Sequence, residues 1–275
     1  MLIGIDLGGT KIAGGLVKDG KVIKRIIAPT GADKGRKHVL AQLRMIIGAL
    51  SEGQRIKGVG IGVPGTFRGT RIVEMANIPC LKGVDFRTLT KAKLVVTNDA
   101  RCFALAEHRF GAGKGTKHMI GITLGTGVGT GIIIDGKVYA GAGDAGDGGH
   151  TIHNLMLESY AFGSGDWEEV ISGRGMVLRH KARGGKEDHP KSIWFSKSRA
   201  AAQTREETLR LTTIFIANLC RTLDPEIVVL GGGISNLPLT VEINKRLPRY
   251  KARPVVKRSV LGLDAAIIGA TVPLQ

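Results

Sequence analysis

The chain has 275 residues, 43% of them hydrophobic but only 4% aromatic, and its 40 Lys and Arg outnumber 23 Asp and Glu to give a formal charge of +17. That length allows one large domain or two ordinary ones around aliphatic cores, and the charge attracts anions, nucleotides among them. The basic residues are scattered through 18–37, the 180s and 246–258, with few aromatics to stack on bases, which argues against a specific nucleic-acid surface.

In chain order, Leu2, Ile3 and Ile5 mark a buried strand and residues 12–17 its return, so 6–11 (Asp-Leu-Gly-Gly-Thr-Lys) form a hairpin mouth. Gly8 and Gly9 allow positive φ and close approach of an anion. Backbone N–H groups, the Thr10 hydroxyl and the Lys11 ammonium can donate to phosphate oxygens. Asp6 would hold Mg²⁺ through water, since that ion prefers oxygen ligands and keeps part of its hydration shell. A third strand near 21–28 precedes a helix over 34–51, on which Val39, Leu40, Leu43, Ile46, Ile47 and Leu50 make one apolar stripe. Strand 58–63 runs into the Pro64-Gly65 turn, and strand 94–97 into a helix opened by Asn98-Asp99.

Transfer of phosphoryl to an alcohol needs a carboxylate within hydrogen-bond reach of the hydroxyl. Asp99, after a buried strand and at a helix N-terminus that favours its ionised form, meets that need. Simple capping of the helix by Asn98 and Asp99 is the competing reading. The glycine-rich stretch 111–115 is a connector and sets the expected domains at 1–112 and 113–262.

A second apolar strand, glycine turn and apolar strand spans 120–134, with Gly125, Thr126, Gly127 and Gly129 at the turn. Two such units suggest two similar halves, each giving one loop to a shared polyphosphate. The basic stretch 179–199 reads as a mobile surface excursion, with Trp194 and Phe195 as a local packing anchor. A helix over 204–223 and strand 227–230 lead to Gly231, Gly232 and Gly233, whose bare backbone suits a flat adenine ring. A last helix is expected over 265–272. Cys80, Cys102 and Cys220 show no pairing pattern, so a reducing cytoplasm is expected. No signal-like N-terminus and no apolar run near ~18 residues appear, so neither secretion nor membrane insertion is expected.

In this order and spacing, the segments at 6–11, Pro64-Gly65, Thr97-Asn98-Asp99-Ala100, 125–129, Gly149-His150, Glu168, Ser172-Gly173-Arg174 and 224–233 resemble the ROK family (repressors, open reading frames and kinases) of the actin-like ATPase superfamily. The resemblance implies an α/β fold of two ribonuclease-H-like domains with an interdomain cleft, the C-terminal helix near 263–275 docking on the first domain, and a homodimer. It implies ATP and Mg²⁺ as cofactors and a hexose substrate, glucose at O6 first, with N-acetylmannosamine, mannose, fructose or allose behind it. Asp99 would be the catalytic base. Gly65, Asn77, Asn98, Asp147, His150 and Glu168 would read the sugar, while Asp6, Gly8, Gly9, Thr10, Lys11, Gly125, Thr126, Gly127, Gly231, Gly232 and Gly233 hold the nucleotide.

The chain departs from the family pattern twice. Asp147 stands where the family has Glu, one methylene longer, and Asp144 and Asp147 are equally ordinary turn formers. No cysteine lies between His150 and Glu168, where many members place a zinc cluster, so no zinc is expected. The loop would then be ordered by Leu155, Leu157, Tyr160 and Phe162, leaving His150 free as a pure sugar contact. A family repressor would carry an N-terminal DNA-binding segment, for which a strand starting at Leu2 leaves no room. A non-catalytic sugar or nucleotide sensor would be expected to lose Asp99 or a phosphate loop.

Overall fold

The computed structural model describes residues 1–153 and 165–275. The proposed packing of Leu155, Leu157, Tyr160 and Phe162 lies outside the described residues. Contacts divide the chain into one unit of Met1–Gly111, Val138–Ala145 and Leu261–Gln275 and another of Ala112–Lys137 and Gly146–Val260. The expected second domain had included 138–145. That stretch belongs with the first unit because the buried Arg101 guanidinium donates to the carbonyls of Gly143 at 2.6 Å and Ala145 at 2.7 Å.

The first unit opens with β1 (Leu2–Leu7), β2 (Lys11–Lys18), β3 (Lys21–Pro29) and α1 (Arg36–Ser51). It continues with β4 (Gly58–Val63), β5 (Thr66–Arg68), β6 (Arg71–Glu74), β7 (Lys93–Asn98) and α2 (Asp99–Phe110). Five strands form a sheet in the order β3-β2-β1-β4-β7, with β1 antiparallel to β2 and parallel to β4, and β4 parallel to β7. Ile3, Ile5, Leu7, Val59, Ile61 and Val63 are fully buried in this sheet, and α1 covers it with Val39, Leu43, Ile46 and Leu50. Every second position of β1 and β4 is apolar and meets the helix stripe, which is why the hydrophobic period found these elements.

The second unit repeats the plan with β8 (Met119–Leu124) and β9 (Val128–Ile134), followed in the chain by β10 (Lys137–Tyr139), of which contacts count only Lys137 to this unit, then α3 (Trp167–Ile171), α4 (Gly173–Ala182), α5 (Pro190–Phe195) and α6 (Arg199–Leu223). It ends with β11 (Ile227–Gly231), α7 (Leu239–Arg246) and β12 (Val255–Arg258). The order β10-β9-β8-β11-β12 matches the first sheet strand for strand, with β8 antiparallel to β9 and parallel to β11. The duplicated hairpins therefore occupy the same inner positions of two equivalent sheets.

The stretch 179–199 lies largely at the surface, but it is anchored and partly helical, with Arg179, His180 and Ile193 buried. It is the end of α4 and all of α5, and Arg179, 1% exposed, donates to Glu207 at 2.5 Å, the Val170 carbonyl at 2.6 Å and Thr208 at 2.8 Å. Basic composition was read as exposure, whereas an arginine with an acid on the facing helix can be buried. Trp194 packs on the core as expected and fully buried Ile193 anchors the stretch with it, while Phe195 stands 65% exposed.

The last helix, α8 (Ala265–Thr271), packs on β1, β2 and β4 and along α2, in the first unit as expected. Glycines make this approach possible. A Cβ on Gly4 would lie 1.9 Å from the Ile267 carbonyl oxygen, one on Gly60 1.8 Å from that of Ala270, and one on Gly269 1.7 Å from that of Cys102.

Candidate active site

In the first unit the expected residues gather at the carboxyl ends of the parallel strands. Register pairs Asp6 with Gly62, Gly62 with Thr97, and Val63 with Asn98, so Asp6, the Pro64-Gly65 bend and Asn98-Asp99 follow three adjacent strand ends. Such ends are where open α/β sheets bind ligands. Asn98 is the N-cap of α2: its side-chain oxygen accepts from Ala100 N at 3.0 Å and Arg101 N at 3.2 Å. Capping and a polar role thus coexist, because the cap uses the amide oxygen and leaves the NH₂ as a donor. Asp99 is the first residue of the helix. Its Oδ1 accepts from Ala100 N at 2.8 Å, and its Cα lies 3.6 Å from where a Gly62 Cβ would stand.

The turn between β1 and β2 is closed by Gly8 N donating to the Lys11 carbonyl at 3.0 Å. Neither Gly8 nor Gly9 has positive φ, contrary to expectation. Gly9 is needed for a neighbour: a Cβ there would come within 2.9 Å of the Asn77 Cβ. Gly65 in turn lies on the 74–75 backbone, with its Cβ position 2.4 Å from the Glu74 oxygen. Gly65, Asn77 and Gly9 therefore form one continuous contact chain. Buried Thr30 braces the turn, its hydroxyl donating to the Gly8 carbonyl at 2.6 Å and its N–H to that of Thr10 at 3.0 Å. Nothing in the local sequence marked Thr30.

Loss of solvent and the neighbouring Asp99 charge push Asp6 up to about 6, against a smaller opposite pull from Lys11. Two carboxylates crowded away from water are a donor set that a hard divalent cation relieves, so Mg²⁺ fits here through Asp6. The raised value also bears on stability. Because the folded value exceeds the unfolded 3.8, ionised Asp6 destabilises the fold at neutral pH, and the penalty shrinks as pH falls from about 6 to below 4. Asp6→Asn should therefore melt higher than the parent at pH 7.5, by roughly 2 kcal/mol, with the gap closing by pH 4. Thermal melts across that range, metal omitted, measure it; a constant gap would show that charge is not the cause.

In the second unit the turn 125–127 is closed by Gly125 N donating to the Gly127 carbonyl at 2.9 Å, and Gly173 N, at the start of α4, donates to the Gly125 carbonyl at 2.8 Å. Gly127 leaves room for Glu168, whose Oε2 would lie 2.5 Å from a Cβ there and accepts from Val128 N at 2.8 Å. Glu168, expected as a sugar contact, thus also holds this turn. Gly232 has φ +83°, and its Cβ position lies 2.4 Å from the Leu124 oxygen, so it fits glycine alone; the Cβ position of Gly233 meets open space. The 125–127 turn, the start of α4 and the glycines after β11 come together through Gly173, which lies between Gly125 and Ile234.

Asp147-Gly148-Gly149-His150 forms a short 3₁₀ turn seated on β9. Gly148 N donates to the Thr130 hydroxyl at 3.1 Å, that hydroxyl donates to the Gly146 carbonyl, and a Gly149 Cβ would fall 2.2 Å from the Val128 oxygen. Asp147 stands exposed at the head of this turn, and its side chain does not cap it. His150 is not free: Nδ1 lies 2.9 Å from Asp166 Oδ2. That hydrogen bond holds the His150 pKa above its usual value, with partial burial opposing and the Asp147, Glu168 and Asp166 charges assisting.

Cys80, Cys102 and Cys220 are partly or fully buried elsewhere, and among the described residues no three His, Cys, Asp or Glu side chains are grouped to hold a metal. Nor is any helix among the described residues long and apolar enough to cross a membrane.

Duplicated five-stranded sheets, each with a glycine hairpin among its inner strands, and carboxylates at strand ends define an ATPase of the actin-like fold. The ROK family model matches residues 2–274. A glucokinase of Thermotoga maritima is 30% identical over 98% of this chain and 95% of its own, and an N-acetyl-D-glucosamine kinase of Histophilus somni 32% identical over 98% and 97%. The crystal structure of a ROK family glucokinase from Streptomyces griseus, in complex with glucose and AMPPNP, superposes with a TM-score of 0.82 at 29% identity, covering 98% of this chain and 97% of that one. The chain belongs to the ROK family, among its sugar kinases.

Proposed function

We propose that this ATP-dependent sugar kinase transfers the γ-phosphoryl group of ATP to the 6-hydroxyl of glucose. The observation carrying the reading is Asp99, at the first turn of α2 beside Asp6 and above Gly62. As the sugar oxygen bonds to the γ-phosphorus and the bond to the β-phosphate oxygen breaks, the hydroxyl proton passes to Asp99, and ADP and the sugar phosphate leave. The turn at 8–11 and the turn at 125–127 donate to the polyphosphate, and Gly231, Gly232 and Gly233 lie under the adenine. Mg²⁺, held by Asp6 through water, would neutralise charge on the transferring group. Gly65, Asn77, the Asn98 amide NH₂, Asp147, His150 and the second Glu168 oxygen read the sugar hydroxyls. Relatives acting on glucose and on N-acetylglucosamine support a hexose and leave its C2 substituent as the point to test.

ADP release coupled to a reporter, over glucose, mannose, fructose, N-acetylglucosamine and N-acetylmannosamine, decides between them. The highest kcat/KM is expected for glucose, with NMR of the product placing phosphate on O6. Preference for a 2-acetamido sugar would replace glucose within the same reaction. Tight sugar binding without any ADP release would instead favour a non-catalytic sensor.

A further inference from the structure

The two segments flanking residues 154–164 are tied together at their base. His153 N donates to the Gly165 carbonyl at 3.0 Å and Trp167 N to the Thr151 carbonyl at 3.2 Å, with Ile152 and Asp166 bridged as antiparallel partners. The His153 ring packs on the Trp167 indole with centroids 4.8 Å apart. Asp166 sits at the centre, 5% exposed, with its two oxygens divided: Oδ1 accepts from Glu169 N at 3.0 Å as the N-cap of α3, and Oδ2 meets His150 Nδ1 at 2.9 Å. One buried carboxylate thus fixes both the start of α3, which carries Glu168, and the ring of His150.

We infer that Asp166 is the positioning residue of the sugar site: it orients His150 and, as the cap of α3, fixes the start of the helix that carries Glu168. The inference rests on the proposed contact of His150 with sugar. A carboxylate on Nδ1 dictates the ring's proton arrangement. Neutral His150 keeps its proton on Nδ1, toward Asp166, and offers Nε2 as an acceptor to a sugar hydroxyl; protonated His150 offers an Nε2–H donor. The same logic operates where a carboxylate orients a metal-bound histidine, although the ring here faces substrate and the carboxylate is anchored by a helix cap. The charges facing His150 are Asp166, Asp147 and Glu168, and all favour its protonated form.

Asp166→Asn is the decisive variant, because an asparagine preserves size and N-cap capacity while removing the charge. The KM for sugar should rise about tenfold, with kcat and the KM for ATP near those of the parent. The His150 ring, followed by two-dimensional NMR, should titrate at lower pH than in the parent and lose the pattern of a proton held on Nδ1. Asp166→Glu, which restores the charge, should recover part of the sugar affinity. The parent protein, assayed by elemental mass spectrometry, should carry well under one zinc per chain and keep its melting temperature in a zinc chelator. Unchanged sugar KM and unchanged His150 titration in Asp166→Asn would overturn the positioning role, and one tightly held zinc per chain would assign the orientation of His150 to metal instead. His150→Ala with parental sugar affinity would refute the underlying sugar contact instead, while the titration still reports on the pair.

Discussion

Asp99→Asn should lower kcat for sugar phosphorylation by on the order of 10²–10⁴, the range found when a general base is removed, while ATP affinity changes little. The asparagine keeps a side-chain oxygen for Ala100 N, the bond that Asp99 Oδ1 now accepts at 2.8 Å, so α2 should start as before. Loss of the negative charge also relieves Asp6, whose elevated pKa owes its second largest contribution to Asp99. The variant should therefore be at least as stable as the parent and nearly inactive. Steady-state kinetics with nucleotide titration by calorimetry test both halves, and turnover within threefold of the parent would remove Asp99 from the base role.

Gly60→Ala should cost about 3 kcal/mol or more, because the new methyl would lie 1.8 Å from the Ala270 oxygen and 2.5 Å from its carbonyl carbon. No side chain can swing aside there, so α8 must lift from β4. At this chain length the melting temperature should fall by roughly 6–12 °C. Gly48→Ala is the matched control: Gly48 is exposed in the interior of α1, its Cβ position meets nothing within 4 Å, and alanine there should stabilise by about 0.5–1 kcal/mol. Equal melting temperatures for Gly60→Ala and the parent would mean that α8 does not sit as closely on the sheet as described.

Most elements were legible because their cores are written as regular spacing. The stripe from Val39 to Leu50 met the sheet as read, and both glycine hairpins stood out between apolar strands. The site candidates were legible for a similar reason: Asp6, Gly65, Asn98 and Asp99 each lie within two residues of a strand end. Residues that act across the chain were not. Thr30 is 22 residues from the turn it braces, and Arg101 is 42 and 44 residues from the carbonyls it holds, so no local pattern announces either. The hydrogen bond between Asp166 and His150, 16 residues apart, is likewise made by tertiary pairing, that of Thr151 with Trp167. Glycine meaning was misjudged in the same way. Gly9 and Gly127 are small for Asn77 and Glu168, neighbours distant in sequence, and not for the sake of positive φ.

The first sheet is built from the opening hundred or so residues, yet the helix that covers it against β1 and β4 is spelled out only at 265–271. During synthesis, which proceeds at about 5–20 residues per second, this sheet has to wait on the ribosome with its Gly4 and Gly60 face lacking that cover, although Ile3, Ile5 and Ile61 on the other face already have α1, while the second unit emerges whole and can fold first. The order of maturation therefore runs opposite to the order of translation for these two units. Ribosome-bound chains stalled after residue 260 should expose the first unit to protease while already protecting the second, and any agent that shields nascent apolar sheet would act on the first unit.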